Sequence, residues 1–594
     1  MVNMRKLTRT LILTVLFVFA LHAQIPDTPA GRQFSAWRKA QDTGDRAVIQ
    51  QFIDKNMPWG GVDQELAVRN QSGGYDVKKV EESTGTHLVV LVQERGPAKQ
   101  FQRITMNVAA AEPYQIAGIR IQLAQPPPEL APPKMTAAET EAARAGAPFH
   151  QFSAWLDAFN SGDRARLGQF LEANYPSMKL DAQMNFRERT GGFELRSLEQ
   201  ATAVSVTGLV QQREGDQFAR FTLVVDPAEP HQIQRFSLLA VPRPAEFPMP
   251  RMNEADIVAA LRDKLEKDAA ADRFSGAVLL ALRENGEKPG KVLFSGAYGL
   301  ADRDKKVANK LETRFRIGSM NKMFTAVSVL QLVQAGKIKL TDPLGKYITD
   351  YPNQDVATKV TIHQLLTHTG GTGDIFGPEF TTHRLDLRTL NDYVALYGKR
   401  APAFEPGSRW VYSNYGMVLA GVLVERVSKQ SYYDYVAEHV YKPAGMTLTG
   451  SEPESEAVAG RSIGYMRPQG ATAWTPNTDT LPYRGTSAGG GYSTVGDLMK
   501  FADALIGHKL LNPENTELLI TGKVDTGGAG KYAYGFEDGR KDGVGAVGHG
   551  GGAPGMNGDL RIYAHSGYVI AVLSNLDPPA AQQVSTFLDL RLLK

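Results

Sequence analysis

One pentapeptide occurs twice in the first half of this chain, and the repetition limits the folds that this half can adopt. Gln33-Phe34-Ser35-Ala36-Trp37 returns letter for letter at residues 151–155. Further matches follow at the same offset or within one residue of it: Gly44-Asp45-Arg46 with Gly162-Asp163-Arg164, Phe52 with Phe170, Gly73-Gly74-Tyr75 with Gly191-Gly192-Phe193, and Glu112-Pro113 with Glu229-Pro230. Self-similarity sustained over such a length is typical of a duplicated structural unit. We therefore predict two tandem copies of one domain.

Both copies show the same order of secondary-structure patterns. Two short helical patterns, broken at the Gly-Asp turn, precede runs that are typical of strands. The strand-like runs are 88–93, 101–108 and 114–123 in the first copy, and 204–211, 218–225 and 232–240 in the second. Helices followed by strands predict an α+β unit with a helix pair on one face of an antiparallel sheet. This pattern resembles the cystatin-like or nuclear-transport-factor-like fold.

Trp37 and Trp155 end the repeated pentapeptide. We interpret both as core residues rather than ligand-stacking residues, because large aromatic rings dominate the packing of cores. His87 and His231 do not correspond between the copies, so we predict no shared catalytic site. The partner of the repeated domains stays open.

Proline-rich segments divide the chain. Pro126-Pro127-Pro128 and Pro132-Pro133 lie between the copies, and a second proline-rich stretch covers 242–250. Such segments are typical of stiff linkers. The predicted organisation is an N-terminal segment, a first copy, a linker, a second copy, a short linker and a large domain, at 1–23, 24–125, 126–147, 148–243, 244–252 and 253–594.

The first 23 residues have the order of a secretory signal peptide. Arg5, Lys6 and Arg9 precede an uncharged apolar run, 11–21, and Ala23 stands before the expected cleavage point. The run is shorter than the ~20 residues that span a bilayer. We therefore expect export, to the periplasm or the medium, and no membrane insertion after the signal is removed.

Composition excludes several classes of function. The chain carries 66 Lys and Arg against 63 Asp and Glu, and loss of the three basic residues of the signal makes the two counts equal. A balanced charge gives no support for nucleic-acid binding. Cysteine is absent, which excludes disulfides and thiol catalysis.

The large domain has strand patterns at both of its ends. A helical pattern at 253–269 precedes two strand-like runs, 275–282 and 291–297, joined by a turn around Asn285-Gly286 and Pro289-Gly290. A second hairpin, 558–563 with 568–575, comes before a final helical run at 580–593, and the region between is mainly helix and loop. We therefore predict one sheet assembled from both ends of the domain, with a helical insert between them.

Ser319 and Lys322 stand at the start of a predicted helix that ends at Gly336. A lysine in a dry pocket can lose its proton and then deprotonate a serine hydroxyl, which is otherwise a poor nucleophile. The helix N-terminus adds positive potential where an oxyanion forms. The alternative is a helix-capping serine followed by a solvated lysine, and Ser-x-x-Lys alone does not separate the two interpretations.

Tyr412-Ser413-Asn414 precedes an apolar helical run, 417–427. A tyrosine near an ammonium group can relay protons, because the positive charge acidifies its phenol. Asn414 can hold a lysine or a substrate amide. The alternative is a core tyrosine beside a helix-capping asparagine.

A glycine-rich segment, His549-Gly550-Gly551-Gly552, lies just before the last hairpin. Consecutive glycines let a strand edge approach a substrate closely and present bare N–H groups to it. The alternative is a flexible loop with an incidental histidine.

Taken in order, these three motifs resemble those of the serine β-lactamase and penicillin-binding-protein superfamily, in its class C branch. The resemblance covers about residues 253–594, and further stretches agree with it: Phe274-Ser275-Gly276, residues 365–371 and Phe404-Glu405-Pro406-Gly407. It implies an α+β multidomain protein whose β-lactamase-like domain, an antiparallel sheet flanked by helices with a helical insert, follows the two small α+β repeats.

The resemblance also implies a role for each residue of the motifs. Ser319 would attack the substrate carbonyl, Lys322 and Tyr412 would share its proton, and Asn414 would orient Lys322 and the substrate amide. Substrate and oxyanion contacts would come from the backbone N–H of Ser319 and from His549, Gly550, Gly551 and Gly552. No metal or organic cofactor is implied, and His363 and His368 would be structural.

One position departs from the family pattern. The β-lactamases carry lysine where His549 stands, and that lysine helps to bind a substrate carboxylate. Histidine is a weaker and pH-dependent anion site, and Arg484 or Arg561 are candidates to supply the missing charge. We therefore predict an exported serine hydrolase that acts through an acyl-enzyme on small esters, amides or D-amino-acid peptides.

Two other functions stay open. One is a DD-peptidase or β-lactamase that acts on cell-wall peptides or β-lactams. The other is an inactive binding protein of the same fold, against which the presence of Ser319, Lys322 and Tyr412 argues.

Overall fold

The computed structural model describes residues 24–249, 252–283, 290–468, 471, 473–528, 530–540, 543 and 545–592. The predicted signal segment, 1–23, and most of the turn predicted at 285–290 lie outside these residues. The chain divides into two units between Pro248 and Met249, within the second predicted linker. Among the described residues, no helix combines the length and the apolar character that crossing a bilayer requires.

The two copies in the first unit agree element for element, with three helices followed by four antiparallel strands in sequential order. The first copy contains α1 (Pro29–Thr43), α2 (Arg46–Asn56), α3 (Val62–Ser72), β1 (Tyr75–Ser83), β2 (His87–Glu94), β3 (Phe101–Val108) and β4 (Ile116–Ala124). After α4 (Ala137–Arg144), the second copy contains α5 (Ala147–Ser161), α6 (Arg164–Asn174), α7 (Leu180–Thr190), β5 (Phe193–Ala201), β6 (Ser205–Gln212), β7 (Phe218–Val225) and β8 (Ile233–Val241).

The repeated Gly-Asp-Arg sequence forms the corner between the first two helices of each copy. Gly44 ends α1 at φ 64°, a left-handed conformation that glycine adopts without steric cost. Asp45 then caps α2, because its carboxylate accepts hydrogen bonds from the backbone N–H groups of Ala47 and Val48. Asp163 caps α6 in the same way. In both copies the glycine thus ends the first helix and the aspartate begins the second.

Both repeated tryptophans are core residues, as predicted: each is 1% exposed. The indole N–H of Trp37 donates to the Glu65 carboxylate at 3.0 Å, and that of Trp155 donates to the Gln183 side-chain oxygen at 3.2 Å. Each copy therefore satisfies its buried indole from its third helix, with a carboxylate in one copy and an amide in the other.

Three kinds of element escaped the sequence analysis. The strands β1 and β5 lie at sheet edges, are bulged, and carry many exposed polar residues, so they lack the apolar alternation of a strand. The helices α3 and α7 bury few residues and show little apolar periodicity. Part of the predicted linker is helical, because Thr136 and Glu139 form a reciprocal capping box at the start of α4. The likeness to cystatin-like folds stays a prediction.

The second unit is built around an eight-stranded sheet. The N-terminal elements are α8 (Glu254–Ala270), β9 (Gly276–Leu282), β10 (Lys291–Tyr298), β11 (Leu300–Asp302), β12 (Val307–Ala308) and β13 (Phe315–Arg316). The helical insert contains α9 (Asn321–Gln334), α10 (Gln354–Lys359), α11 (Ile362–Leu366), α12 (Pro378–His383), α13 (Leu390–Tyr397), α14 (Asn414–Ser428), α15 (Tyr432–Val436) and α16 (Lys442–Ala444).

The remaining elements of this unit complete the sheet from the C-terminal end. They are β14 (Tyr465–Met466), β15 (Thr475–Pro476), β16 (Tyr492–Ser493), α17 (Val495–Ile506), α18 (Pro513–Ile520), β17 (Val524–Asp525), β18 (Lys531–Tyr532), β19 (Glu537–Asp538), β20 (Val547–Ala553), β21 (Met556–Ile562), β22 (Tyr568–Ser574) and α19 (Ala580–Leu592). The strand order of the sheet is β10-β9-β22-β21-β20-β19-β18-β17, and β22 pairs with β9 along its whole length. The prediction of one sheet assembled from both ends of the domain, with a helical insert between them, is confirmed.

The helix α9 lies at the centre of this unit. Its first ten residues are all buried, including Asn321, Lys322 and Thr325 as well as the apolar ones. Gly336 follows it at φ 67° and closes its C-terminal end. A helix buried on every side fixes the group at its N-terminus, and Ser319 stands there, in a 3₁₀ turn over Gly318–Met320.

The difference between Glu65 and Gln183 predicts opposite effects of exchanging the two side chains. Burial raises the pKa of Glu65 above 4.5, so the folded state holds its proton more tightly than the unfolded state. Ionised Glu65 therefore costs stability above the raised pKa, and this cost disappears as pH falls below 4.5. Glu65→Gln should raise the Tm of the first unit at pH 7 and change it much less at pH 4, measured by scanning calorimetry of the full chain.

The reciprocal change, Gln183→Glu, places a carboxylate at a buried position and should cost about 1–3 kcal/mol at pH 7. Equal Tm values for both variants and the wild type at pH 7 would show that the buried charge carries no cost.

Candidate active site

Ser319 is positioned by close packing between its turn and the glycine-rich strand β20. Gly318 has φ 54°, and a Cβ added to it would lie 3.0 Å from the backbone nitrogen of Gly552. A Cβ on Gly551 would lie 1.9 Å from the carbonyl oxygen of Ile317, a contact that no side chain permits. The absence of side chains here brings the N–H of Gly552 beside Ser319, which is itself partly exposed.

Lys322 is completely buried directly behind this serine. Its Nζ lies 3.0 Å from Ser319 Oγ, 2.8 Å from Asn414 Oδ1 and 2.5 Å from the carbonyl oxygen of Ala488. Burial lowers the pKa of Lys322 to about 7, against a smaller opposite effect of the Asp374 carboxylate. Near neutral pH this amine therefore exists in large part without its extra proton.

The three partners of Nζ can serve the amine in both of its protonation states. The Ala488 carbonyl can only accept hydrogen bonds, and so can Asn414 Oδ1, whereas the Ser319 hydroxyl can accept or donate. The ammonium form donates to all three oxygens; in the neutral form the first two take the N–H bonds, and the lone pair faces the hydroxyl of Ser319. The geometry is that of a base beside an alcohol.

Tyr412 also lies beside the serine. It forms a side-chain hydrogen bond with Ser319, and the centroid of its ring lies 4.7 Å from Lys322 Nζ. The expectation that positive charge acidifies this phenol is wrong: burial raises the pKa of Tyr412 well above its usual value, and the hydrogen bond with Ser319 lowers it only in part. Tyr412 is therefore a neutral proton donor and not a tyrosinate.

Asn414 bridges Lys322 and Asp374. Its Oδ1 accepts from Lys322, and its Nδ2 donates to the Asp374 carboxylate oxygens at 3.0 and 3.2 Å. Asp374 is part of the loop that follows Gly371, a stretch in which the sequence analysis identified no functional side chain.

His549 does not behave as the expected pH-dependent anion site. It is fully buried, and burial together with the nearby Lys322 lowers its pKa to about 3. Its Nδ1 donates to the carbonyl oxygen of Gly550 at 2.5 Å, so Nε2 accepts from the Tyr532 hydroxyl at 3.0 Å. Both ring nitrogens have partners within the protein, and the ring stays neutral through ordinary pH.

Aromatic rings line this side of the site. The ring of His368 lies 4.4 Å from that of Tyr412 and 4.5 Å from that of Tyr532, and Trp410 lies 6.4 Å from Tyr412 between ring centroids. Burial also lowers the pKa of His368 well below its usual value. This apolar wall excludes water from the nitrogen and phenol groups beside Ser319, and it explains the direction of their pKa shifts.

The two arginines considered as anion sites are engaged elsewhere. Arg484 donates to the backbone carbonyl of Ser451 at 2.8 Å, and its guanidinium stacks on Tyr433. Arg561 pairs with Asp559 at 2.9 Å and also contacts Asp589.

A second glycine-rich loop, 485–491, also escaped the sequence analysis. Besides the Ala488 carbonyl, it supplies carbonyl groups to Asn321 Nδ2 and Thr325 Oγ1, and the Gly490 N–H donates to the Gly318 carbonyl at 3.2 Å. Its run of small residues was the available signal, because such runs permit close backbone approach. Asp374 gave no comparable signal, since one acidic residue in a loop is usually solvated.

A serine hydroxyl beside a buried lysine amine, with backbone N–H groups of a glycine-rich strand next to it, defines the class of serine hydrolases that use lysine as the base. The Beta-lactamase family model matches residues 261–593. The chain therefore belongs to the β-lactamase and penicillin-binding-protein family of serine hydrolases, as the sequence motifs predicted.

Three relatives illustrate this membership. The Bacillus subtilis (strain 168) protein PbpX, provisionally named a penicillin-binding protein, is 33% identical over 305 residues, 50% of this chain and 70% of PbpX. The structure of a penicillin-binding protein from Bacillus halodurans is 30% identical, with a TM-score of 0.50, and covers 57% of this chain and 99% of its own. The structure of an octameric penicillin-binding-protein homologue from Pyrococcus abyssi is 25% identical, with a TM-score of 0.50, and covers 57% of this chain and 77% of its own.

The lowered pKa of Lys322 predicts the pH dependence of Ser319 reactivity. Only the neutral amine can accept the serine proton, so the labelling rate with a fluorophosphonate should rise with pH and level off above about 7. Mass spectrometry of the Ser319 peptide at pH 5.5–9 measures this rate. Lys322→Met should abolish this rise of the labelling rate with pH. A wild-type labelling rate that rises only around pH 10 would mean that Lys322 is an ordinary solvated lysine.

Proposed function

We propose that this protein is an active serine hydrolase that works through an acyl-enzyme. The observation that carries the proposal is the 3.0 Å contact between Ser319 Oγ and the buried Nζ of Lys322, whose remaining hydrogen-bond partners are acceptors. A solvated lysine beside a capping serine, the alternative left open by the sequence, has no such environment.

Acylation begins when the Ser319 oxygen attacks the substrate carbonyl and its proton passes to Lys322. The backbone N–H groups of Ser319 and Gly552 stabilise the oxyanion. Tyr412 gives its phenolic proton to the leaving group, and the Lys322 ammonium returns a proton to the tyrosinate. The products of this step are the acyl-enzyme and the protonated leaving group, with Lys322 and Tyr412 neutral again.

Deacylation runs the same steps with water as the nucleophile. Lys322 takes the phenolic proton of Tyr412, and Tyr412 takes a proton from the water that attacks the acyl carbon. When the bond to Ser319 Oγ breaks and the acid product is released, the Lys322 ammonium returns the proton to the serine oxygen. Lys322 and Tyr412 return to their starting protonation states, so one base and one acid serve both halves of the cycle.

We propose small neutral esters, amides or D-amino-acid peptides as substrates. Both ring nitrogens of His549 are bonded within the protein, and this supports substrates that place no carboxylate beside it, because a histidine with a pKa of about 3 offers no positive charge to a carboxylate. A second candidate is DD-peptidase or β-lactamase activity. The 33% identity with a relative named as a penicillin-binding protein favours it.

We also propose that the protein acts after export, in the periplasm or the medium. The basic and apolar order of residues 1–23 supports this location.

Ser319→Ala should abolish turnover of p-nitrophenyl esters while the Tm stays within a few degrees of the wild type. Removing the nucleophile leaves the buried helix intact, so the loss is one of chemistry and not of folding. Ser328→Ala is the matched control, since Ser328 lies on the same helix and its hydroxyl bonds the Phe324 carbonyl. Ser319-independent turnover would contradict the proposal.

The same assay distinguishes the two substrate classes. Wild-type turnover of neutral esters and D-amino-acid amides, with slow turnover of nitrocefin and of D-Ala-D-Ala peptides, supports the first candidate. Rapid nitrocefin or D-Ala-D-Ala turnover supports the second.

Tyr412→Phe should lower kcat/KM by about 10²–10⁴-fold, because the leaving group loses its proton donor. The loss should be smaller for p-nitrophenyl esters, whose leaving group needs little protonation, than for amides. Tyr351→Phe is the control, as it removes a buried hydroxyl that bonds Tyr415. Equal losses for both kinds of substrate would assign Tyr412 a structural role.

A further inference from the structure

Asp374 is held in place from several directions. The N–H of Ile375 donates to Asp374 Oδ1 at 2.6 Å, and Arg400 donates to the Asp374 backbone carbonyl at 2.9 Å. The Tyr397 hydroxyl donates to the carbonyl of Ile375 at 2.9 Å and ties the loop to the end of α13. The carboxylate therefore has a fixed position and direction beside Asn414.

This position decides which way the Asn414 amide points. A carboxylate only accepts hydrogen bonds, so the Asn414 NH₂ group must face Asp374. Its carbonyl oxygen is then left for Lys322, at 2.8 Å. The opposite orientation would set an amide oxygen against the carboxylate, which loses the hydrogen bond to Asp374, and would turn the NH₂ group toward the amine of Lys322.

The amide direction in turn sets the direction of the Lys322 lone pair. With Asn414 Oδ1 and the Ala488 carbonyl each taking one N–H bond, the third tetrahedral direction of Nζ faces Ser319. A flipped Asn414 amide would instead donate into that lone pair. The base would then be blocked by its own neighbour.

We propose that Asp374 is a positioning residue for the reaction: through Asn414 it directs the Lys322 lone pair at Ser319, and its charge stabilises the ammonium that forms when the serine proton reaches Lys322. This inference rests on the function proposed above. The proton moves from Ser319 Oγ to Lys322 Nζ, and Asp374 neither gains nor loses one.

In the described part of the site, Asp374 is the negatively charged group that acts on Lys322, and the other side chains around the amine are neutral. Tyr412 contributes its ring face and a phenol kept neutral by burial. His368 and His549 both feel the charge of Lys322, and burial keeps both rings neutral. The attraction of Asp374 raises the pKa of Lys322 against the effect of burial.

Asp374→Asn should therefore change two quantities. The value of kcat/KM for a neutral ester should fall by about 10–100-fold, because an amide at position 374 no longer forces one orientation on Asn414. The rising limb of the pH–rate profile should move to lower pH, because the ammonium loses its counter-charge. Both are measured from kcat/KM at pH 5–9, with the Tm as the measure of folding.

Asp355→Asn is the matched control. Asp355 is an acidic residue of the same insert, pairs with Lys359 and is exposed, so its variant should keep the wild-type rate and pH–rate profile. A rising limb that shifts equally in Asp355→Asn and Asp374→Asn would assign the effect to overall charge and overturn the proposal.

A double-mutant cycle tests whether Asp374 acts through Asn414. In the Asn414→Ala background, Asp374→Asn should cost much less activity than it does in the wild type, since the amide that it orients is gone, whereas the shift of the pH–rate profile should remain because it comes from the charge. Full additivity of the two losses would overturn the proposal. Should Asp374→Asn fail to fold, Asp374→Glu keeps the charge but displaces the acceptor. This variant should keep the wild-type position of the rising limb of the pH–rate profile but have a lower kcat/KM. A wild-type kcat/KM would overturn the proposal.

These outcomes are separate from the fate of the proposed function. If Ser319 is not the nucleophile, the wild type shows no Ser319-dependent turnover at any pH. If only the role of Asp374 is wrong, the wild type is active and Asp374→Asn matches it in both rate and pH profile.

Discussion

The burial of the Lys322 amine is the constraint on which the rest of the site depends. An ammonium group taken out of water costs several kcal/mol unless it is paired, and the protein avoids much of this cost by lowering the pKa of the group to about 7. A neutral amine still needs partners for its two N–H bonds. The Ala488 carbonyl and Asn414 Oδ1 meet that need, so the group is satisfied and remains basic.

The same exclusion of water acts on the acid. Burial lowers the pKa of an amine and raises that of a phenol, because in each case the charged form is disfavoured. Lys322 and Tyr412 are therefore both neutral at the pH where one must accept a proton and the other must donate it. One environment that excludes water thus keeps the base and the acid in the states that they need. The rings of His368 and Tyr532, which pack beside Tyr412, contribute to this environment.

The sequence could predict the parts of this site that depend on local pattern. The apolar periodicity after Ser319 and the glycine at position 336 gave the helix and its end, and strand patterns at both ends of the domain gave the shared sheet. The state of His549 could not be predicted, because it depends on Tyr532, which belongs to β18, two strands away in the sheet, and bonds the histidine inside the protein. The direction of the Tyr412 shift was misjudged for the same reason: a nearby charge was visible in the motif, but the burial that outweighs it was not.

Asp374 shows why contacts across the fold escape pattern analysis even when every residue type is visible. Its effect on Lys322 passes through Asn414, and the two contacts join a loop, the start of α14 and the start of α9, which are far apart in the chain. A motif records residues whose spacing is fixed by one helix turn or one strand. A carboxylate that orients an amide needs only the right distance in space, and its position in the chain is free to vary. Lys322, the base of this site, is thus recognisable from sequence. Asp374, the group that orients it, is recognised only in the structure, as the acceptor of the hydrogen bonds that the Asn414 NH₂ group donates.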